Sequence, residues 1–344
     1  MSTFVQIHAL TFYPPSNLNR DDLGKPKSAM MGGTPRLRIS SQCLKRSWRT
    51  SDAFKNGLAS HLGTRTKRVG STLVKPILEA AGLPEEKVQA WSEEVSKAFS
   101  DKLDKDGWDT PQLVHLTPQQ VEAIQALARK IAERGSGPDK AELEALRAHE
   151  KAVDIALFGR MIADYPARNV NAAAQVAHAI TVNKVAIEDD FFTAVDDLNP
   201  AEETGAGHVD EHWFGSGTFY IYVCVNRDLL IENLGGDETL ANQTLRALTE
   251  AIATVSPSGK QNSFAALARA SYIRAERGSA TPRSLALAFA KAQDNADMGT
   301  VIKQLEDTRK AVDEAYEAQP EEEFCFQPGK GTTLSQLLDF VARS

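Results

Sequence analysis

The sequence predicts an α+β fold: a sheet core whose elements run in βαββαβ order, interrupted by a helical insertion and a second, shorter one. Three observations predict it. Apolar residues alternate with period two near both ends of the chain, helical spacing with capping signals fills the stretches between, and Gly-, Pro- and acid-rich breaks set the insertions apart.

Residues 3–10 place Val5, Ile7 and Ala9 on one face and Phe4, Gln6 and His8 on the other, which reads as a strand. A long loop is expected from Pro14 to Arg38, broken by Pro14-Pro15, Gly32-Gly33 and Pro35. Ser40 or Ser41 then caps a helix that reads through to Phe54. At about 100° per residue, Gln42, Lys45, Arg46 and Arg49 share one arc. Cys43, Leu44, Ser47, Trp48, Ser51 and Phe54 share the opposite one.

Residues from about 60 to 175 read as helical and inserted. Val88, Trp91, Val95 and Phe99 form an amphipathic stripe, and Thr117-Pro118-Gln119-Gln120 combines an N-cap, an N1 proline and a capping-box glutamine. Strand patterns return at His178–Ile187 and Thr218–Asn226, separated by a Gly- and acid-rich segment, Glu188–Gly217. A helix near Asp237–Val255, a strand near Ala270–Arg277, a helix from Pro282 and more helix over about 300–318 follow. Without the insertions, the order is that of a ferredoxin-like or RNA-recognition-type domain, a superfold that does not fix function by itself. The aromatic RNA-stacking signature of such domains is not visible, so any RNA contact falls to the loops and the basic helix.

Composition narrows the class. Of 344 residues, 42% are apolar and 25% charged, as in ordinary globular proteins. No apolar run is long enough to cross a bilayer, the opening lacks a signal-peptide pattern, and Cys43, Cys224 and Cys325 stand far apart. The expectation is a reduced, cytoplasmic protein without disulfides or membrane contact. The net charge of -7 hides an asymmetry: residues 1–70 hold twelve Lys or Arg against three acids, and the remainder holds 27 against 43. A local polyanion site on an acidic body is the reading this favours over a merely solvated basic face.

Arg20, Lys25, Lys27, Arg36, Arg38, Lys45, Arg46 and Arg49 make up the basic loop and helix. Gly32-Gly33 would let backbone N–H groups approach an anion, and Ser40 and Ser41 stand at a helix N-terminus, where phosphate is favoured. A polar loop at 256–263 offers Lys260, Gln261 and Asn262 as a second cluster, or an ordinary turn. These groups hold a phosphate backbone without reading bases. Three other patterns carry less. His208-Val209-Asp210-Glu211-His212 has the H-x-x-E-H spacing of inverted zincins, but flanking glycines argue against the helix that chemistry needs. Gly329-Lys330-Gly331-Thr332 lacks the first glycine of a Walker loop, with Phe324 in its place. Asp21-Asp22 is the acidic pair in the basic loop, a turn cap or partner of Arg20 on one reading and a metal site on another.

The motifs Leu18–Asp22 (LNRDD), Gly32-Gly33, Arg38–Arg46 (RISSQCLKR), Asp154–Met161 (DIALFGRM), Ala177–Thr181 (AHAIT) and Phe192–Leu198 (FTAVDDL), with Lys260-Gln261, give the sequence a specific likeness over most of its length. It resembles the CasC-type backbone subunit of the type I-E CRISPR Cascade complex, in the RAMP superfamily. The resemblance implies a modified ferredoxin-like or RNA-recognition palm (1–58, 178–189 and 218–344), helical fingers (59–177) and a hairpin thumb (190–217). It implies a non-catalytic subunit that oligomerises in a helical filament along CRISPR RNA, beside other Cascade subunits, and presents the guide to target DNA, with no cofactor and no metal. Arg20, Lys27, Ser40, Gln42, Lys45, Arg46, Arg49, Lys260, Gln261 and Asn262 would hold RNA phosphates. Met161 would wedge against bases from the fingers, and Phe192 and Thr193 would begin the thumb. Phe191 stands where relatives carry Trp, and Cys43 where they carry Ser; neither change removes a charge. The alternative is a metal-dependent RNA-cleaving relative using Asp21 and Asp22.

Overall fold

The computed structural model describes residues 2–147, 151–162, 166, 169–194, 208–293 and 297–343, with 193–194 and 208–210 described in the backbone. Along the chain run β1 (Phe4–Ser16), β2 (Ser28–Met31), β3 (Thr34–Ile39), α1 (Ser41–Thr50), α2 (Asp52–Lys55), β4 (Thr64–Thr66), α3 (Lys75–Ala80), α4 (Glu85–Lys97), β5 (Val114–Leu116), α5 (Pro118–Arg134), α6 (Lys140–Ala145) and α7 (Val153–Phe158). Then come β6 (Ala174–Val176), β7 (Ala179–Thr181), β8 (Glu188–Ala194), β9 (His208–Asn226), α8 (Arg227–Asn233), α9 (Glu238–Thr254), α10 (Gln261–Phe264), β10 (Tyr272–Gly278), α11 (Met298–Tyr316), β11 (Glu322–Phe326) and α12 (Leu334–Val341). They form two compact units. One comprises Met1–Asn56, Ala174–Asp228 and Asn242–Ser344; the other Gly57–Ala173 and Leu229–Ala241.

The first unit is built on an antiparallel sheet in the order β11-β10-β1-β9-β7-β3-β2, with β6 and β8 also paired to β9. Val5, Ile7 and Ala9 of β1 are buried, as their alternation demands, but so are Gln6 and His8 on the opposite face. All seven residues of β10 are buried, Arg274, Glu276 and Arg277 among them. A second layer explains this. Residues 283–289 and α11 close the polar face, and Leu10, Tyr220, Tyr272, Leu285, Phe289 and Leu305 cluster beneath them.

Charge is matched across that layer. Arg283 donates to Glu276 (2.6 Å) and pairs with Asp313 of α11 (2.6 Å). Arg274 donates to Glu306 (2.7 Å) and Glu323 (2.7 Å), and Arg309 joins Glu306 and Asp313. His8 Nδ1 bonds the Tyr220 hydroxyl (2.8 Å), while its Nε2 lies 3.7 Å from Glu276. Burial drives the His8 pKa down. Burial alone would raise that of Glu276, but His8 and the Arg283 guanidinium outweigh it and hold it at about 2.

Several expectations need correction. The stretch Pro14–Arg38 is not one long loop: β1 runs on to Ser16, and β2 and β3 form a hairpin in register Met31↔Thr34. Gly32 and Gly33 have φ of +58° and +75°, which a two-residue type I′ turn requires, so they shape the hairpin. Arg36 belongs to the core rather than the cationic surface; its guanidinium donates to Thr181 O, Val182 O and Phe289 O. The helix from Ser40 stops at Thr50, because Ser51 N–H bonds back to Trp48 O and the Ser51 hydroxyl starts α2 by accepting from Phe54 N. The strand expected at 178–187 is only the short β7 at Ala179–Thr181; β6 precedes it at Ala174–Val176, and both pair with β9. No α-helix starts at Pro282: the Leu285 N–H, which would close its first turn on Thr281 O, is taken by the Tyr220 hydroxyl, and one 3-10 turn at Ala286–Phe289 remains. In the acid-rich segment, β8 pairs with the first part of β9 from Glu188↔Phe214 to Ala194↔His208, and 195–207 lie outside the described residues.

The second unit is mainly helical, with one two-stranded ladder, β4–β5. Leu78, Val88, Trp91, Val95, Ile124 and Ile131 share its core. The capping box at Thr117 and Gln120 forms as the spacing predicts, and Gly135 ends α5 at φ +70°.

Two predictions follow from this packing. A Cβ on Gly32 would stand 1.7 Å from Ala290 O, whereas Gly33 has open space. Gly33→Ala should cost about 1–2 kcal/mol for its left-handed backbone, and Gly32→Ala clearly more; equal midpoints in urea unfolding would refute the close approach. For pH, the unfolded chain binds more protons than the fold wherever a folded pKa is depressed. Stability should therefore decline below about pH 6.5 as unfolded histidine protonates, and further below about pH 4.5 through Glu276. His8→Gln should flatten the first decline, read as the urea midpoint between pH 7 and 5.

Candidate nucleic-acid interface

The interface begins with α1. Ser40 caps it, its hydroxyl accepting from Cys43 N (3.3 Å), with no acid in the first turn. Leu44 and Trp48 are buried, Lys45 and Arg49 half-buried, and Gln42 and Arg46 exposed, so the predicted cationic arc is realised. Burial pushes the Cys43 thiol up, against the pull of a Ser47 hydrogen bond and the Lys27 charge.

The early loop is folded onto the start of this helix. Asn19 Oδ1 accepts from Ser40 N (2.9 Å), Lys27 N–H donates to Asn19 O (2.8 Å), and Arg38 N–H donates to Lys27 O (2.8 Å). Ser41 N–H donates to His178 Nδ1 (3.0 Å), which requires that nitrogen to be unprotonated. Burial, then the Arg38 and Lys27 charges, hold the His178 pKa below its ordinary value. Lys27 and Arg38 thus flank the N-terminal turn of α1 beside a neutral His178, a cationic setting for an anion. Asp21 closes the neighbouring turn: its Oδ1 accepts from Leu23 N (3.0 Å) and Lys25 N (2.9 Å). Arg20 is left exposed, and Lys25 Nζ sits 4.9 Å from the Trp213 ring centre.

The late loop presses onto the early one at Gly259, where a Cβ would come within 2.3 Å of Leu18 O. Lys260 follows with φ of +49°, a strained backbone for a side-chain-bearing residue, and its Nζ lies 3.2 Å from His212 Nε2. The result is a cleft of about 300 Å³ lined by Arg20 and Gly24 of the early loop, Glu211, His212 and Trp213 of β9, and Lys260. Arg20 and Lys260 therefore come together in one cleft. Gln261 turns inward, its amide donating to Pro257 O (2.7 Å) and Ala266 O (3.2 Å), so it shapes the loop; Asn262 is exposed beside it. The Phe192 ring lies 4.3 Å from that of His212, which links β8 to the cleft. Thr193 pairs with Val209 in the ladder, and its side chain lies outside the described residues. Met161 belongs to the helical unit, where it is 84% exposed.

Sequence reasoning missed three participants. His178 lay inside a recognised motif without a role, Trp213 lay in a Gly-rich segment with no periodic signal, and His212 was noticed for zincin spacing alone. The H-x-x-E-H stretch lies on strand β9 and not on the helix a zincin uses, and among the described residues no cluster of metal-ligating side chains occurs. The Gly329–Thr333 stretch is a turn whose Thr333 caps α12.

Comparison with known proteins places this geometry. A solved subunit described as "CRISPR RNA-guided surveillance complex, pre-nicking" is 30% identical, with a TM-score of 0.84 over 98% of this chain and 99% of that one. Another, described as "CRISPR RNA-guided surveillance complex", is 25% identical, with a TM-score of 0.73 over 98% and 99% of the two chains. A search of curated proteins found no match. The family model for the CT1975-like protein matches residues 5–339, nearly the whole chain, so the chain belongs to the CT1975-like protein family.

Proposed function

We propose that this protein is a guide-RNA-binding backbone subunit of a CRISPR RNA-guided surveillance complex, of the CasC type in type I-E Cascade. In this reading the adjacent strands β10, β1, β9 and β7 form a modified ferredoxin-like palm, residues 59–177 the fingers and 190–217 the thumb. Several copies line the guide in the cytoplasm, beside other subunits, and leave its bases free to pair with target DNA. The protein positions phosphates, and base pairing supplies the specificity.

The observation that carries this reading is convergence. Cations from distant segments (Arg20, Lys27, Arg38 and Lys260) gather around one helix start and one cleft, tied by Asn19–Ser40 and Gly259–Leu18. Among the described residues, no ion pair engages Arg20, Lys27, Arg38 or Arg46. The similarity to surveillance-complex subunits supports the same reading. The subunit is proposed to be non-catalytic rather than an RNA-cleaving relative, because Asp21 Oδ1 is committed to two backbone N–H groups of its turn.

Arg20→Ala with Lys260→Ala should weaken binding of short single-stranded RNAs by a similar factor whatever their sequence. The slope of log K against log salt should flatten by about 1.4 for two lost phosphate contacts; filter binding at several salt concentrations measures it, and an unchanged slope and affinity would sink the assignment. Gly259→Ala should separate the loops, costing about 1–3 kcal/mol of stability and weakening RNA binding. The exposed neighbour Ser258→Ala should do neither, and a Gly259→Ala protein with native affinity would show that the close approach does not build the interface.

A further inference from the structure

Asn17, the residue after β1, is buried, with 2% of its surface exposed. Its Nδ2 donates to Gly24 O (2.9 Å) and so helps close the turn that Asp21 also holds. That bond fixes the orientation of the amide. Turned over, it would set Oδ1 against the Gly24 carbonyl, acceptor against acceptor. Among the described residues, Oδ1 itself receives no hydrogen bond. The backbone is held as well: Gly259 of the late loop passes so close that a Cβ there would stand 2.8 Å from Asn17 O.

The surroundings of this oxygen narrow what it is for. Asn17 and Gly24 line the cleft of about 300 Å³ together with Arg20, His212, Trp213 and Lys260. Those last side chains all carry N–H groups, yet none gives one to Oδ1, and Lys260 Nζ is turned to His212 Nε2 (3.2 Å). A buried acceptor without a donor is rare in folded proteins. With the side chain so little exposed, the donor has to come from a group that enters the cleft. A phosphodiester drawn in by the cations brings acceptors alone. Bases bring donors that differ from one to the next, which does not suit a site that holds the backbone. The ribose 2′-hydroxyl is a donor that every nucleotide of RNA repeats and that DNA lacks.

We propose that this cleft reads the sugar as well as the phosphate: Asn17 Oδ1 accepts from the 2′-hydroxyl of a ribonucleotide whose phosphate lies on Arg20 and Lys260. Asn17 is then the residue that makes the cleft prefer RNA to DNA. The amide is already held by Gly24 before a ligand arrives, so little side-chain freedom is lost on forming the contact. The inference rests on the proposed binding of a phosphate strand and adds to it the class of sugar.

The test uses the full chain and a short single-stranded RNA, compared at ~0.1 M salt with its 2′-fluoro counterpart of the same sequence. The fluoro strand keeps the size and pucker of the sugar but has no 2′ donor. The unaltered protein should bind it about three- to tenfold more weakly than the RNA. Asn17→Leu should lose that preference and bind both strands near the level of the fluoro strand on the unaltered protein. Unchanged melting of the variant checks its fold; if it melts early, Asn17→Ser repeats the measurement. Equal binding of both strands by the unaltered protein, as a water held at Oδ1 would give, overturns this inference and leaves the proposed function standing. A preference that survives in the variant does the same, by assigning the sugar to another acceptor of the cleft such as Glu211. So does an equal loss on both strands, which would make Asn17 a prop of the loop. Failure of the unaltered protein to bind either strand overturns the proposed function itself.

Discussion

The closing of the sheet's polar face by paired arginines and carboxylates is the constraint on which the remaining architecture depends. Arg274 and Glu276 point out of β10 into what would otherwise be open surface, and Arg283, Glu306, Arg309 and Asp313 answer them from above. A buried pair of this kind adds little net stability, but losing one partner strands a charge in the interior. The layer is therefore held in place, and Gln6, His8 and Tyr222 stay beneath it, the Tyr222 hydroxyl donating to Gln6 (2.7 Å). With that face occupied, the unit's edges and loops are what remains open.

The edges are prepared accordingly. Asn19 ties the early loop to the first turn of α1, and Gly259 allows the late loop to rest on backbone rather than side chains. Both ties order the backbone and leave long cationic side chains to reach outward. That division suits a phosphate strand, whose regular charge rewards fixed spacing and whose bases need not be read. The strained conformation of Lys260 belongs to the same design, since it aims the side chain at His212 and the shared cleft.

The helical unit has a buried pair of its own, Asp154 with His115. In the sheet unit, Glu276, Glu306 and Asp313 are engaged by arginines within the closed layer, apart from the cleft of Arg20 and Lys260, which Glu211 also lines. This accounts for a protein of net charge -7 that concentrates positive charge locally.

The sequence by itself determined whatever depends on near neighbours in the chain. The alternation of β1, the two-faced pattern of α1, the capping box at Thr117 and the surplus of cations in the first 70 residues were all legible, because period and spacing encode them. A likeness to CRISPR surveillance-complex subunits was legible for the same reason, through short ordered motifs. Tertiary structure alone decided the rest. Arg36 looked like its cationic neighbours and turned inward because the carbonyls of Thr181, Val182 and Phe289 awaited it. Gly32-Gly33 serves a hairpin that needs β3 to find β7. Pro282 failed to start a helix because the Tyr220 hydroxyl of β9 captured the Leu285 N–H that would have closed its first turn. Trp213 and His178 acquired roles only when strands distant in sequence brought them beside Lys25 and Ser41. Such contacts are fixed by packing the whole chain at once, and no local spacing records them.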